Sequence, residues 1–295
     1  MNKSKSIAVI GGGFVGGHII KRAVAEGHNI RLISRYPKTT IENVKIISED
    51  ITKGGRGLSD AFEGVEVVIN AAGIIKEKGA NTFEGVHHRG TSNIVEACIK
   101  SGVKKIIHIS ALGVGKSDIT PYFTTKRKGE QEIESSGLDY VIFRPSIIFG
   151  PGDGFVNMLA GIIKRFPIMP IFGDGLYRLQ PISIFDLVDA ILLSINSGPW
   201  DNRIYETCGS RKMTYLDIVH SIASVLNKRV VIIKIPFKLA LFSLKTVERI
   251  KIPLPLTSYQ LLMLKNESVC RENNFITDFP IEPLDFISGI GLYLK

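Results

Sequence analysis

Along the first half of the chain, apolar residues come in short, nearly unbroken runs separated by stretches with helical spacing. "SIAVI" (6–10), "NIRLIS" (29–34), "VKIIS" (44–48), "VEVVINAA" (65–72), "KKIIHIS" (104–110) and "DYVIFRP" (139–145) read as strands. The segments 14–26, 82–101 and 122–136 between them read as helices. Runs that are apolar on both faces suit parallel strands covered on both sides, and their alternation with helices demands βαβ crossovers. The pattern predicts an α/β fold with a doubly wound parallel sheet over 1–150. Past residue 150 the rhythm loosens. "GPGDG" (150–154) and "FPIMPIFGDG" (166–175) read as loops, and "FDLVDAILLSI" (185–195) as a helix capped by Asp186. "RIYETC" (203–208) and "RVVIIKI" (229–235) read as late strands flanking a helix at 215–227. No linker separates the halves, so 151–295 is expected to form a smaller C-terminal α/β lobe, some segments of which return to the first domain.

The first turn carries the most specific signal. "IAVIGGGFVGGH" (7–18) places five glycines between the first strand and the first helix. Gly11, Gly13 and Gly16 fit G-x-G-x-x-G, with Phe14 and Val15 opening the helix. The first glycine allows a tight turn, the second a close approach of pyrophosphate, and the third the seating of helix on strand. Phosphate then meets free N–H groups at the positive helix end. A site for NAD usually adds an acid about 20 residues on, for the ribose 2′-OH. Here the second strand ends in "LISRYPK", with Ser34 and Arg35 and no acid. Arg35 would attract a 2′-phosphate, which favours NADP(H) over NAD(H). The competing reading of Arg35 is an exposed cation.

Composition narrows the classes. The 295 residues are 44% hydrophobic and 22% charged, with a net charge of +9. Such a balance suits a polyanionic cofactor or an anionic membrane surface. The basic residues are dispersed, and "KRK" (126–128) is too short for a nucleic-acid arm, so no nucleic-acid role is expected. Cys98, Cys208 and Cys270 are scattered and odd in number, which predicts no disulfide framework and a reducing compartment. There is no CxxC, and the adjacent His87 and His88 lack ligand spacing, so no metal site is expected. "MNKSKSIAVI" dissolves into glycine and reads as a first strand rather than a signal peptide. A cytoplasmic location is expected.

Several motifs occur in order: "GGGFVG", "EDI" (49–51), "NAAG" (70–73), "GTSNIVEACIKSGVKKIIHIS" (90–110), "YFTTK" (122–126) followed by "GE", and "FRPSIIFGPGD" (143–153). Together they resemble the extended and atypical short-chain dehydrogenase/reductase superfamily. The resemblance implies a Rossmann-like domain. It implies Tyr122 as general acid–base and Lys126 as the cation that lowers its pKa and holds the nicotinamide ribose. Their i, i+4 spacing places both on one helix face. The resemblance further implies that Asp50 and Ile51 flank the adenine and that Asn70, Ala71, Ala72 and Gly73 bracket the adenosine side. Pro145 would shape the strand exit near the nicotinamide. Departures are equally specific. The loop has one residue fewer than the family's G-x-x-G-x-x-G, and His87 stands where relatives carry Asn. Leu112 stands where epimerases carry a carbonyl-polarising hydroxyl, and the dehydratase acid pair is missing. Ser110 is a substitute hydroxyl, or else it ends the strand by bonding backbone.

A narrower resemblance runs through residues 144–191 and "PLPLTSYQLLMLKNESV" (253–269). It is similar to the nucleotide-binding accessory subunit of respiratory complex I and its bacterial NAD(P)-dependent epimerase/dehydratase-like relatives. This implies an NADPH-holding partner of NADH–ubiquinone oxidoreductase, serving assembly or stability, peripheral on the inner membrane. The alternative is an active NAD(P)H-dependent reductase or epimerase using Tyr122, Lys126 and Ser110 on an unidentified carbonyl substrate. Arg178, Gln180 and Asp186 are candidate substrate contacts, with helix capping the competing reading of Asp186. "FKLALFSLKTVERIK" (237–251) follows Pro236 as a basic amphipathic helix. Lys238, Lys245 and Arg249 lie on one side of it, and Phe237, Ala240, Leu241 and Leu244 on another. Such a helix lies in a membrane interface or packs on its own domain.

Overall fold

The apolar runs become β1 (Ser6–Ile10), β2 (Asn29–Ile33), β3 (Val44–Ile47), β4 (Val67–Asn70), β5 (Lys105–Ile109) and β6 (Asp139–Pro145) in a computed structural model of the chain. A late strand, β11 (Arg203–Thr207), joins them in one parallel sheet of order β11-β6-β5-β4-β1-β2-β3. The structure describes residues 4–37, 41–115, 120–249, 258–265 and 267–294. Lys38, residues 1–3 of the opening segment, and 250–257, which end the amphipathic helix and include "IPLPL", lie outside the described residues, as does the side chain of Arg249.

The chain divides into two compact units. The first comprises Met1–Pro145, Ile184–Thr207 and Asn273–Ile281 and holds the whole sheet. Its helices are α1 (Phe14–Ala25), α2 (Arg56–Ala61), α3 (Gly90–Ser101), α4 (Pro121–Glu134), α6 (Ile184–Leu193) and α10 (Asn274–Asp278). α4 starts where Thr120 accepts the Phe123 N–H and Pro121 takes the first position, which needs no donor. The segment expected as one helix over 82–101 begins instead as a π-helical turn, Glu84–Arg89, before α3. The late segments return to this unit through specific contacts. Buried Lys105 at the start of β5 donates to the Asn196 carbonyl (2.9 Å) and to Asp201. Trp200 stacks on Phe279 (centroids 5.3 Å apart), and Phe279 in turn meets Phe143. Asp186 sits inside the first turn of α6, which begins at Ile184, and so it is not the cap.

The second unit comprises Ser146–Ser183, Cys208–Glu272 and Glu282–Lys295. Its strands pair in twos: β8 (Ile168–Phe172) with β13 (Val231–Ile235), β7 (Ile148–Phe149) with β10 (Ile182–Ser183), and β9 (Arg178–Leu179) with β12 (Met213–Thr214). Its helices are α5 (Val156–Arg165), α7 (Tyr215–Val225), α8 (Phe237–Arg249), α9 (Ser258–Lys265) and α11 (Phe286–Gly291). A capping box between Thr214 and Asp217 starts α7. No helix among the described residues is long and apolar enough to cross a membrane.

The cysteines correct the sequence expectation. Cys208 and Cys270 form a disulfide, with Cα atoms 6.2 Å apart, while Cys98 is free and buried. Their separation of 62 residues gives no local signal, because only the fold brings the two segments together. Cysteine usage therefore gives no support to a reducing compartment. Gln180 braces the same place, donating to the Gly209 carbonyl (2.7 Å) and accepting the Cys270 N–H (3.2 Å). It is a buried strut rather than a substrate contact. Arg178 is engaged by Glu267 through two hydrogen bonds of 3.0 Å.

Closing a loop of this length restricts the unfolded chain by up to about 4 kcal/mol. Cys208→Ser is therefore expected to lower the melting temperature under oxidising conditions and to leave it unchanged under reducing ones. Scanning calorimetry of both forms checks this.

Candidate functional site

The strand order reverses direction between β1 and β4, and a parallel sheet opens a crevice at such a point. The glycine turn fills this position. Gly11 has φ +90° and lies where a Cβ would press on the Ala72 backbone at 3.1 Å. At Gly16 a Cβ would collide with the Gly11 carbonyl oxygen, so only glycine lets α1 seat on the turn. Gly13, by contrast, faces open space. It is the N-cap of α1, with no side-chain cap and no acid in the first turn. The N–H groups of Phe14, Val15 and Gly16 lack intrahelical acceptors by helix geometry. These features suit a diphosphate: bare donors, positive dipole end and room for close approach.

A cleft of about 330 Å³ leads away from the turn. Gly11, Gly13, Ser34, Arg35, Asp50, Ile51, Ala71, Ala72 and Gly73 line it, as the motifs imply. Glu49 of the "EDI" motif lines it too, and Thr52, Tyr36 and Asn81 line it without having been singled out in the sequence. Arg35 donates to Asn81 Oδ1 and pairs with Asp50 at 3.4 Å, while its buried Nε has no partner among the described residues. It is thus a held cation rather than a free surface one. Burial pushes the Asp50 carboxyl upward. Hydrogen bonds from the Thr52 hydroxyl and N–H, with the Arg35 charge, outweigh that and hold it below the ordinary carboxylate range. Asn70 does not line the cleft. It is buried behind it, accepting the Ala72 N–H (3.1 Å) and donating to Thr91 (3.3 Å). It braces the Ala71–Gly73 turn rather than touching a ligand.

Tyr122 and Lys126 lie beyond Gly73, whose added Cβ would stand 3.7 Å from Lys126 Nζ and 3.9 Å from His87 Nε2. The "GE" after the pair explains how α4 is held. A Cβ on Gly129 would strike the His87 carbonyl, so glycine permits the close crossing of α4 and the π-helical turn. Glu130, fully buried, accepts from Arg144 (2.9 Å) and Arg127 (3.1 Å). The Tyr122 ring is wedged edge-on against Phe83, His87 and Phe123.

The electrostatics of the pair differ from expectation. Burial pushes the Tyr122 phenol well above its ordinary value. Lys126 does not counter this, because Nζ donates to the Ile109 carbonyl (3.1 Å) and sits 5.7 Å from the Tyr122 ring centroid. Burial lowers Lys126 itself to about 8, against the opposing Glu130 charge. His87 replaces the family's Asn as a strut: Nε2 accepts the Ile74 N–H (3.1 Å) and Nδ1 meets the Thr125 hydroxyl (3.2 Å). Burial, then the nearby Lys126 charge, keeps His87 neutral. Ser110 also departs from the strand-ending role. Its backbone N–H donates to the Phe143 carbonyl (2.7 Å), but its hydroxyl is buried with no partner among the described residues. Leu112 is buried, and its N–H donates to the Pro145 carbonyl (2.9 Å), so Pro145 fixes this loop through its backbone.

Residues 11–155 match the family model described as NAD(P)H-binding. A ceramide reductase of Caulobacter vibrioides is 28% identical over 57% of this chain and 54% of its own length, so the chain spans little more than half of that relative. NADH dehydrogenase [ubiquinone] 1 alpha subcomplex subunit 9, mitochondrial, of Arabidopsis thaliana is 22% identical over 90% of this chain and 69% of its own length. Among solved structures, UDP-N-acetylglucosamine 4-epimerase from Methanobrevibacter ruminantium superposes with a TM-score of 0.78 at 20% identity, covering 100% of this chain and 98% of the other.

Two outcomes are expected. Gly16→Ala forces backbone apart and should cost about 1–3 kcal/mol of stability. Nucleotide affinity should fall with it, read by urea unfolding and by fluorescence titration with NADPH. Lys126 gives a pH signature. The unfolded lysine keeps its proton to about pH 10.4, so it binds more protons than the folded one above pH 8. The stability of the wild type relative to Lys126→Met should therefore be flat below pH 8 and rise towards pH 10. Chemical denaturation across that range measures it.

Proposed function

We propose, from the premise that residues 11–155 form an NAD(P)H-binding domain, that the chain is an NADP(H)-holding accessory protein of respiratory complex I at the inner membrane. Two features of the site support a dinucleotide there: bare amides at α1, and a cleft lined by Gly73, whose added Cβ would stand 3.7 Å from Lys126 Nζ. In this reading Arg35, held by Asp50 and Asn81, faces the 2′-phosphate. Asp50 and Ile51 flank the adenine, and Tyr122 and Lys126 hold the nicotinamide ribose. The observation that favours holding over turnover is Leu112, a buried side chain where a polarising hydroxyl would stand. Tyr122, made a weaker acid by burial, agrees with it. The relatives named as complex I subunits supply the partner, and the match to one of them runs over 90% of this chain.

The second reading is a reductase, to which a bound dinucleotide supplies hydride. The unpartnered Ser110 hydroxyl favours it, because a buried bare hydroxyl is costly unless something meets it. Tyr122 would then give the proton, and the ceramide reductase relative suggests a lipid carbonyl substrate.

Mild-detergent purification of the tagged chain is expected to recover both NADP(H) and complex I subunits. Tyr122→Phe should leave that association and complex I activity intact. Arg35→Asp should weaken NADPH by roughly tenfold or more while sparing NADH, as loss of a charge-assisted contact implies. Equal weakening of both nucleotides, or normal complex I assembly without the chain, would contradict the proposal.

A further inference from the structure

β8 and β13 form a two-stranded parallel sheet in the second unit, with Val231 opposite Ile168 and Ile233 opposite Pro170. Strand alternation sends Met169, Ile171 and Ile232 into the unit's core. It sends Ile168, Pro170, Val231 and Ile233 to the other face. Parallel strands are normally covered on both faces. This outer face is not: Ile168 is 45% exposed, Val231 62% and Ile233 47%, and Phe166, just before β8, is 59% exposed. The chain continues through Pro236 into α8. There the expected apolar side is the inward one, with Ala240 buried and Phe237, Leu241 and Leu244 half-buried, while Leu239 (56%) and Phe242 (71%), outside that stripe, face outward. Lys238 and Lys245 are exposed beside them.

Charge identifies the cover. Residues 164–173 and 228–247 carry seven lysines and arginines, among them Lys228, Arg229 and Lys238, and no Asp or Glu. Five of the seven are lysine, a residue depleted from protein–protein interfaces. Large apolar side chains set among cations with no acid suit an anionic bilayer, where the apolar groups enter the acyl boundary and the cations meet headgroups.

We infer that the outer face of the β8–β13 sheet, together with the outward side of α8, seats on an anionic lipid surface. This deepens the inner-membrane part of the proposed function, and it requires neither the nucleotide nor complex I.

The test is co-sedimentation of the full chain with vesicles of phosphatidylcholine alone or with about 30% phosphatidylglycerol, a composition giving a substantial surface potential. Binding is expected only to the anionic vesicles, and it should fall as salt is raised. The triple variant K228Q/R229Q/K238Q should reduce partitioning about a hundredfold, at about fivefold per cation. V231T/I233T, which keeps strand-compatible branching, should reduce it about tenfold. Unchanged melting and NADPH binding in both variants show that they are folded. Binding that ignores lipid charge, absence of binding, or indifference to both variants overturns the inference. If the variants lose complex I while the wild type ignores vesicles, the cover is protein: the lipid inference fails and the accessory reading stands. Charge-dependent vesicle binding without any complex I association supports the lipid surface and removes the accessory reading.

Discussion

The seating of α1 directly on the Gly11 carbonyl is the constraint from which the cleft follows. Because Gly16 has no side chain, the helix start lies against the end of β1, and its first amides stay uncapped beside open space at Gly13. The sheet reverses its order at this edge, so the amides face a crevice rather than another element. Any side chain at position 16 would move the helix off the turn, and with it the positive end that suits a diphosphate.

A second close approach governs the far end of the site. α4 crosses the π-helical turn at Gly129, against the His87 carbonyl. The buried Glu130 binds two arginines there, Arg144 from β6 and Arg127 from its own helix. This clamp fixes Tyr122 and Lys126 in a dry environment, where desolvation raises the phenol and lowers the ammonium. The same dryness leaves the Ser110 hydroxyl bare and makes Leu112 a filler rather than a polariser. The site therefore carries an aliphatic side chain at 112 and a bare hydroxyl at 110.

The two units also divide the chemistry. The first contains the whole cleft beside the glycine turn, and the second carries the acid-free, apolar face of β8 and β13. In α8 the helical period identified the amphipathic segment and its inward side, while Leu239 and Phe242, outside that stripe, face water.

Local rules were enough to specify the sheet, the glycine turn and the order of the motifs. A run of apolar residues is a strand wherever it is covered, and three glycines at fixed spacing carry their own backbone demands. "RIYETC" read as a strand, yet only its register with β6, Arg203 against Val141, makes it the seventh of the sheet. Asn81 meets Arg35 across 46 residues and Cys270 meets Cys208 across 62, and neither pairing leaves a trace in spacing. The neutral His87 strut, the bare Ser110 hydroxyl and the buried Lys105 likewise depend on what packs around them. Burial and partnership are properties of neighbours distant in sequence, so tertiary structure alone decided them.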